Sequence, residues 1–473
     1  MDAFVDRDAD IAALQERYDI DEPSLITVWG RRRVGKTELV EHSIRDRDNV
    51  VYYQATETTK QVQLDDFVAE AARPFPGIER IRREWEDILG YLIEQDAMIV
   101  LDEFPFMIES DESLPSVIQR LWDHEVEGTS ATLVLVGSSI SMMKEKVMSG
   151  GSPLHGRLDM RLQLEELPFD AATEFFPDYD PEETVLAWGV FGGTPHYLQA
   201  VDDDRSLREN IRDAVLSKRG FLHDEPEYVL RTELENPNRY FSILKTIAAG
   251  NATSNEIAQA AGIDSDQISH YLKNLQDLEI VNREVPVTEN PAQSRRGQYV
   301  LKDALFRFWF RFVYGQGEKY DRAGTDAYEE LIEPHLADAV SPKFEELCRT
   351  AVYNLYDEYT FDRVGRWWYQ EQEVDVVGLT TDETMVAGEC KFTSQPMGYD
   401  VLNDLERDVE DIRWTPQGEG DVAHEFCLFS RSGFNQSLIE AAEERDDLHL
   451  FSIEDIIIAF WKRPLSVGTC PSK

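Results

Sequence analysis

At 473 residues, with 42% hydrophobic and 11% aromatic side chains, the chain has material for about three folded domains and is not a disordered protein. Its 92 acidic residues outnumber 47 basic ones, for a formal net charge of −45 spread along nearly every segment. That balance argues against a generally basic nucleic-acid-binding surface, and no apolar run approaches the ~20 residues of a membrane-spanning helix.

Such a surface repels itself at low salt and is screened near 1 M, where the Debye length falls to about 3 Å. Adaptation to a salt-rich cytoplasm is the expectation, with an acidic protein made for basic partners as the alternative. Cys348, Cys390, Cys427 and Cys470 are widely spaced with no CxxC pair, so neither a zinc site nor a disulfide framework is expected. The first residues read as an acidic amphipathic helix rather than a signal peptide, and a soluble, reduced, cytoplasmic chain is expected.

In chain order, Phe4–Tyr18 predicts a helix with Asp10 as its cap. Ser24–Val40 follows as SLITVWGRRRVGKTELV, a short apolar strand, a glycine-bounded loop and a helix. The loop matches GxxxxGKT over Gly30, Arg31, Arg32, Arg33, Val34, Gly35, Lys36 and Thr37. Glycines let backbone N–H groups turn onto phosphates, and the helix N-terminus adds a positive dipole end. Lys36 supplies a point charge for the β and γ phosphates, and Thr37 a hydroxyl ligand for Mg²⁺. The bland alternative is a plain strand-to-helix turn.

Asn49–Gln54 predicts a second strand, Leu64–Arg73 and Arg80–Glu94 predict helices, and Ala97–Leu101 a third strand running into Asp102-Glu103. A carboxylate at a strand's end after a phosphate loop holds Mg²⁺ through water. One residue on, Glu103 can polarise the attacking water. Ala131–Ser139 predicts a fourth strand ending in Ser138 and Ser139, either of which can reach the γ-phosphate or the water. Four strands alternating with helices imply an open, mostly parallel sheet with ligands at the carboxyl ends. Met160–Leu164 reads as an edge strand. Before it, Arg157 is the first candidate to sense the γ-phosphate, in cis or from a neighbouring subunit, with Arg161 second. Gly192-Gly193 breaks a helix, and Pro195 opens the next.

This half resembles the archaeal ATPases of the AAA/STAND group of P-loop NTPases, through Gly30–Thr37, Asp102-Glu103, Gly137–Ser139, Pro153–Arg157 and Gly193–Pro195. The resemblance implies ATP and Mg²⁺ as cofactors, with Pro195 near the adenine. Together with the acidic composition it points to a haloarchaeal source.

Ser206–Asn236 reads as a charged helical lid. Helices over 240–250, 254–262 (Ser254 as cap) and 265–280 (Ser265 as cap) precede a hairpin, Val281–Val287 with Gly297–Leu301, which is the pattern of a winged helix. Gln267, His270 and Lys273 lie on the third helix's solvent face, and Arg295-Arg296 at the wing tip. These are candidate DNA contacts, although winged helices also bind proteins. Leu305–Tyr314 is an aromatic packing helix, and Gly315–Thr325 a polar linker.

In the last domain a helix over Lys343–Tyr356 precedes strands Gly365–Gln370, Glu373–Leu379 and Met385–Phe392. Alternation puts Glu389 and Lys391 on one face, a hairpin can bring Asp375 alongside, and Glu345 comes from the helix, with Glu346 as its substitute. Two carboxylates, Asp375 and Glu389, bind a divalent metal, and the lysine positions water, which is the logic of metal-assisted phosphodiester hydrolysis. The pattern FEE…EVDVVG…GECK resembles the PD-(D/E)xK restriction-endonuclease-like superfamily, with Val374 where its name has Pro.

The expected architecture is α/β throughout. It comprises a P-loop ATPase domain (1–200), a helical lid (201–238), a winged helix (239–314), a linker (315–330) and a nuclease-like domain (331–473). Two functions stand open: an ATP-gated nuclease acting on DNA, and an ATP-dependent regulator whose third domain only binds. No membrane partner is expected, and an oligomer is compatible with Arg157 acting across subunits.

Overall fold

The computed structural model describes residues 5–234, 236–317, 319–320, 327–415 and 422–462. Cys470, Phe4 and residues 318 and 321–325 of the expected linker lie outside them. The chain forms two compact units. One comprises Met1–Leu167 with Thr194–His196, and the other Pro168–Gly193 with Tyr197–Lys473.

The first unit is built on five parallel strands: β1 (Ser24–Trp29), β2 (Val50–Gln54), β3 (Met98–Asp102), β4 (Thr132–Gly137) and β5 (Met160–Gln163). Their order is β2-β3-β4-β1-β5. Every residue of β1, β3 and β4 is buried, which is why these strands read as unbroken apolar runs instead of alternating. β2 and β5, at the two edges, have partly exposed positions. Register brings Trp29 level with Gly137 and Gln163, so the segments following β1, β4 and β5 leave the sheet together.

Several local expectations needed correction. The first helix is Asp8–Tyr18 and follows Arg7 in a left-handed conformation; Asp10 sits inside the first turn and is not the cap. The helices after β2 are Lys60–Ala71 and Trp85–Ile93, and two more, Phe104–Ser110 and Leu114–His124, lie between β3 and β4.

In the second unit, helices Asn238–Ala248, Ser254–Ala261 and Ile268–Asp277 precede an antiparallel ribbon of β6 (Val281–Glu284) and β7 (Gln298–Leu301). Thr253, not Ser254, caps the second helix, in a reciprocal capping box with Glu256, and Gly262 ends it at φ 66°. The third helix follows Gln267, so Ser265 is not its cap, and it buries Ile268, Leu272 and Leu275.

A 23-residue helix, Glu333–Leu355, runs through Pro342, which sequence reasoning had taken as a stop. It leads into β8 (Phe361–Tyr369), β9 (Gln372–Thr380) and β10 (Thr384–Lys391), which are antiparallel, and then β11 (Ala423–Ser430) and β12 (Leu448–Ser452), which join in parallel. The sheet order is β12-β11-β10-β9-β8. Val287, just past β6, is part of this sheet's core with Trp367, Val374 and Val377.

Candidate functional site

In the first unit the loop after β1 turns sharply. A Cβ on Gly30 would stand 2.2 Å from the Leu164 carbonyl oxygen, so only glycine fits there. Arg33 and Gly35 adopt positive φ (70° and 93°), which curls the loop before helix Lys36–Ile44 begins. Lys36 is buried, and its Nζ donates to the Arg31 carbonyl at 2.7 Å, across the loop.

Asp102 ends β3, buried, with its acceptor sites engaged. Oδ2 accepts from Thr37 Oγ1 at 2.8 Å and from the Tyr52 hydroxyl at 2.7 Å, and Oδ1 accepts from the Glu103 N–H at 2.8 Å. Sequence reasoning missed Tyr52. Burial, followed by the adjacent Asp102 charge, pushes its phenol far above the ordinary range and keeps it a donor. Glu103 has φ 50°, a left-handed conformation uncommon for glutamate. Ser138 Oγ lies 2.7 and 2.6 Å from its two carboxylate oxygens. Thr37 and Asp102 thus lie side by side, an oxygen pair fit to share a hydrated Mg²⁺.

Arg157 is engaged elsewhere. Its Nε and Nη2 each donate to Asp123 at 2.7 Å, and Nη1 donates to the Pro153 carbonyl. The pair holds the Asp123 carboxyl below its usual range. Arg161 is exposed on β5. Pro195 opens helix Pro195–Leu198 after Gly192, and Thr194–His196 belong to the first unit.

In the second unit the structure brings Glu345, Asp375, Glu389 and Lys391 to one cavity of about 290 Å³, together with Ser341 and Glu373. The β9–β10 register pairs Gly388 with Val376, so Glu389 and Asp375 follow as neighbours. Asp375 Oδ2 accepts from the Cys390 N–H at 3.0 Å, and Lys391 Nζ donates to Glu389 Oε1 at 2.5 Å. Glu346 instead takes Lys343 at 3.0 Å. Burial first, then the Asp375 charge, pushes Glu345 and Glu389 up to about 7, and burial also raises Asp375. Crowded, desolvated carboxylates are the chemistry that a divalent cation relieves, and in that sense the residues fit one. Among the described residues no group of three or more His, Cys, Asp or Glu side chains is already arranged to hold a metal ion.

The ribbon departs from expectation. Arg295 is exposed, but Arg296 pairs with Glu289, donates to the Trp368 carbonyl at 3.1 Å and covers the Tyr369 ring. It serves the β8 sheet edge rather than standing free. Gln267, His270 and Lys273 are exposed. No helix among the described residues is long and apolar enough to cross a membrane.

This fold and site define a P-loop ATPase domain, and residues 4–201 match the family described as an ATPase domain predominantly from Archaea. Residues 309–404 match one described as Archaea bacterial proteins of unknown function. Over 384 residues the chain is 33% identical to the uncharacterized protein MJECL04 of Methanocaldococcus jannaschii, spanning 80% of this chain and 85% of that one. The chain belongs to the same archaeal ATPase family as that protein.

Among solved structures it resembles the Walker-type ATPase PABY2304 of Pyrococcus abyssi. That match has a TM-score of 0.50 at 17% identity and covers 65% of this chain and 96% of the other. The Aeropyrum pernix ORC2 protein, solved as ADPNP-ADP complexes, matches with a TM-score of 0.44 at 15% identity over 67% and 93% of the two chains.

Proposed function

We propose that the protein hydrolyses ATP with Mg²⁺ at the first sheet and cleaves nucleic acid with a divalent cation at the second. The ATP reading rests on the direct Thr37–Asp102 contact at 2.8 Å beneath a glycine-bounded loop. Lys36 exchanges the Arg31 carbonyl for phosphate oxygens. Glu103, held by Ser138 at the end of the sheet, orients and deprotonates the attacking water. Mg²⁺, held by Thr37 and through water by Asp102, supplies positive charge to the phosphates. Arg157 would exchange Asp123 for the γ-phosphate, within the chain or in a neighbouring subunit.

The nuclease reading rests on the convergence of Glu345, Asp375, Glu389 and Lys391 in one cavity. Asp375 and Glu389 would hold the cation, which polarises the phosphodiester. Lys391 neutralises charge building on the phosphate, and Glu345 completes the carboxylate set. The three helices with β6–β7 read as a winged helix whose exposed Gln267, His270 and Lys273 are suited to DNA. The boundaries 1–200, 201–238, 239–314, 315–330 and 331–473 mark the modules of this reading, and the net charge suits a salt-rich cytoplasm.

The test is phosphate release and cutting of DNA or RNA by the full chain across a KCl series. Lys36→Ala should remove turnover, Glu103→Gln should trap bound ATP, and Asp375→Ala should remove cutting, as should EDTA. Turnover unchanged in the first two variants would sink the ATP assignment.

A second reading has its own support: the Lys391–Glu389 ion pair, with no ready three-residue metal group, suits a domain that binds without cutting. Folded protein that leaves linear, branched and single-stranded substrates intact would select this regulator reading.

A further inference from the structure

The largest groove described in the second unit, about 1340 Å³, reaches the carboxylates from the opposite side. One wall is the loop before helix Ser254–Ala261 and the β6–β7 ribbon; the other is helix Ala304–Phe312, β8 and the start of β9. Glu345, Glu373 and Asp375 line both this groove and the small cavity, so the two are continuous.

Its charge is inverted relative to the rest of the chain. Seven basic and four acidic residues line it, while the whole sequence carries 47 basic and 92 acidic residues. A surface shaped only by general acidity would not concentrate arginine and lysine there. Two of its guanidinium atoms, Arg307 Nη1 and Arg366 Nε, are sealed from solvent and have no hydrogen-bond partner among the described residues. A desolvated cationic donor without an acceptor is costly and is relieved by an anion. Tyr299, Phe310 and Trp368 supply aromatic surface along the same groove.

We propose that this groove is a binding channel for single-stranded nucleic acid. The backbone lies along Lys245, Arg295, Arg307, Arg311 and Arg366, and a phosphate is presented to the Glu345–Asp375 end. Basic residues interleaved with aromatic ones are how single strands are held without sequence readout.

Size excludes duplex. The volume is little above the roughly 300–1,000 Å³ of small-ligand sites, enough for a few nucleotides, whereas one turn of duplex runs about 34 Å. One side is also tied shut, because the Val287 N–H donates to the Arg366 carbonyl at 2.9 Å and Arg366 Nη1 donates to Glu284 at 2.9 Å. The ribbon is therefore a wall of the channel and not a wing reaching into a DNA groove. DNA and RNA share the phosphate and base chemistry used here, and the test separates them.

The channel deepens the nuclease reading and rests on it only for the fate of the strand, not for its binding. Fluorescence anisotropy of short labelled single-stranded DNA, single-stranded RNA and duplex DNA is measured with the full chain carrying Glu389→Gln, in Mg²⁺, so that binding is read without cutting. Single strands should bind, duplex at least tenfold more weakly. Lys245→Glu with Arg311→Glu should reduce single-strand affinity by about tenfold or more. Both side chains make only long contacts, a ring at 5.8 Å and Asp338 at 3.9 Å, and an unchanged melting curve checks the fold. Arg295→Ala, at an exposed position, is the milder second variant and should weaken binding in the same direction.

Wild-type affinity in both variants overturns the channel. Duplex binding as tight as single-strand binding overturns the strand class. Strand binding that the variants abolish, in a protein that never cuts, upholds the channel and removes the nuclease reading. Cutting that persists with unaltered strand affinity in both variants does the reverse.

Discussion

The two sheets gather carboxylates in opposite ways. At the end of β3, Asp102 has three donors of its own chain and Glu103 has Ser138, so a strongly polar site is already satisfied internally. At the β9–β10 hairpin, Glu345, Asp375 and Glu389 press on one another, with Lys391 as the cation directly on one of them. The first arrangement is a network that a ligand must partly exchange, and the second an excess of negative charge that a ligand would complete. Parallel topology accounts for part of the contrast. It brings loops and helix starts, rich in N–H donors, to one end of a sheet, whereas an antiparallel hairpin lays side chains against side chains.

The comparison can be broken most decisively at Lys36. Lys36→Ala should cut phosphate release roughly 100-fold or more, because the loop then has no cation aimed at the phosphates. Steady-state turnover at saturating ATP reads this, and a loss below tenfold would mean that the loop does not work as described.

At the other site, Asp375→Asn should sharpen the contrast. It removes one charge from the crowd, so Mg²⁺ or Mn²⁺ should raise the melting temperature of wild-type protein and raise it much less in the variant. For a ligand at about 100 times its Kd the wild-type stabilisation is about 2.7 kcal/mol. Equal shifts in both would separate the cation from this site.

A purely structural comparison comes next. Gly189→Ala would put a Cβ 2.4 Å from Val340 Cγ1 and should destabilise the second unit by about 1–3 kcal/mol without touching the phosphate loop. Chemical denaturation with and without ATP distinguishes the units. The smallest effect is expected at Thr253→Ala, which deletes a capping box and should cost about 1 kcal/mol.

What could be read in advance was whatever is local along the chain. The phosphate loop, the Asp102-Glu103 strand end and the alternation that turns Glu389 and Lys391 one way are all patterns within a few residues. Tyr52 was not legible, because its bond to Asp102 depends on β2 lying beside β3. Arg296 looked like a wing-tip cation, since nothing near it in sequence announces Glu289 and Trp368 as partners across a fold. Pro342 misled for a different reason. Proline lacks one hydrogen bond and usually marks a helix start, but burial of Leu336, Ala339, Val340 and Phe344 on either side carries the helix through.

The close approach at Gly189 also governs stiffness. Helix Pro181–Phe191 meets helix Glu333–Leu355 with no side chain between Gly189 and Val340, and the Lys343 ammonium lies 5.3 Å from the centre of the Trp188 ring. Glu345 is carried less than two turns beyond that seam. Close-packed seams shear reluctantly and hop between discrete fits. A tilt of the shorter helix, which ends at the Gly192-Gly193 break, is therefore passed on like motion along a connecting rod, and arrives as a displacement of a carboxylate.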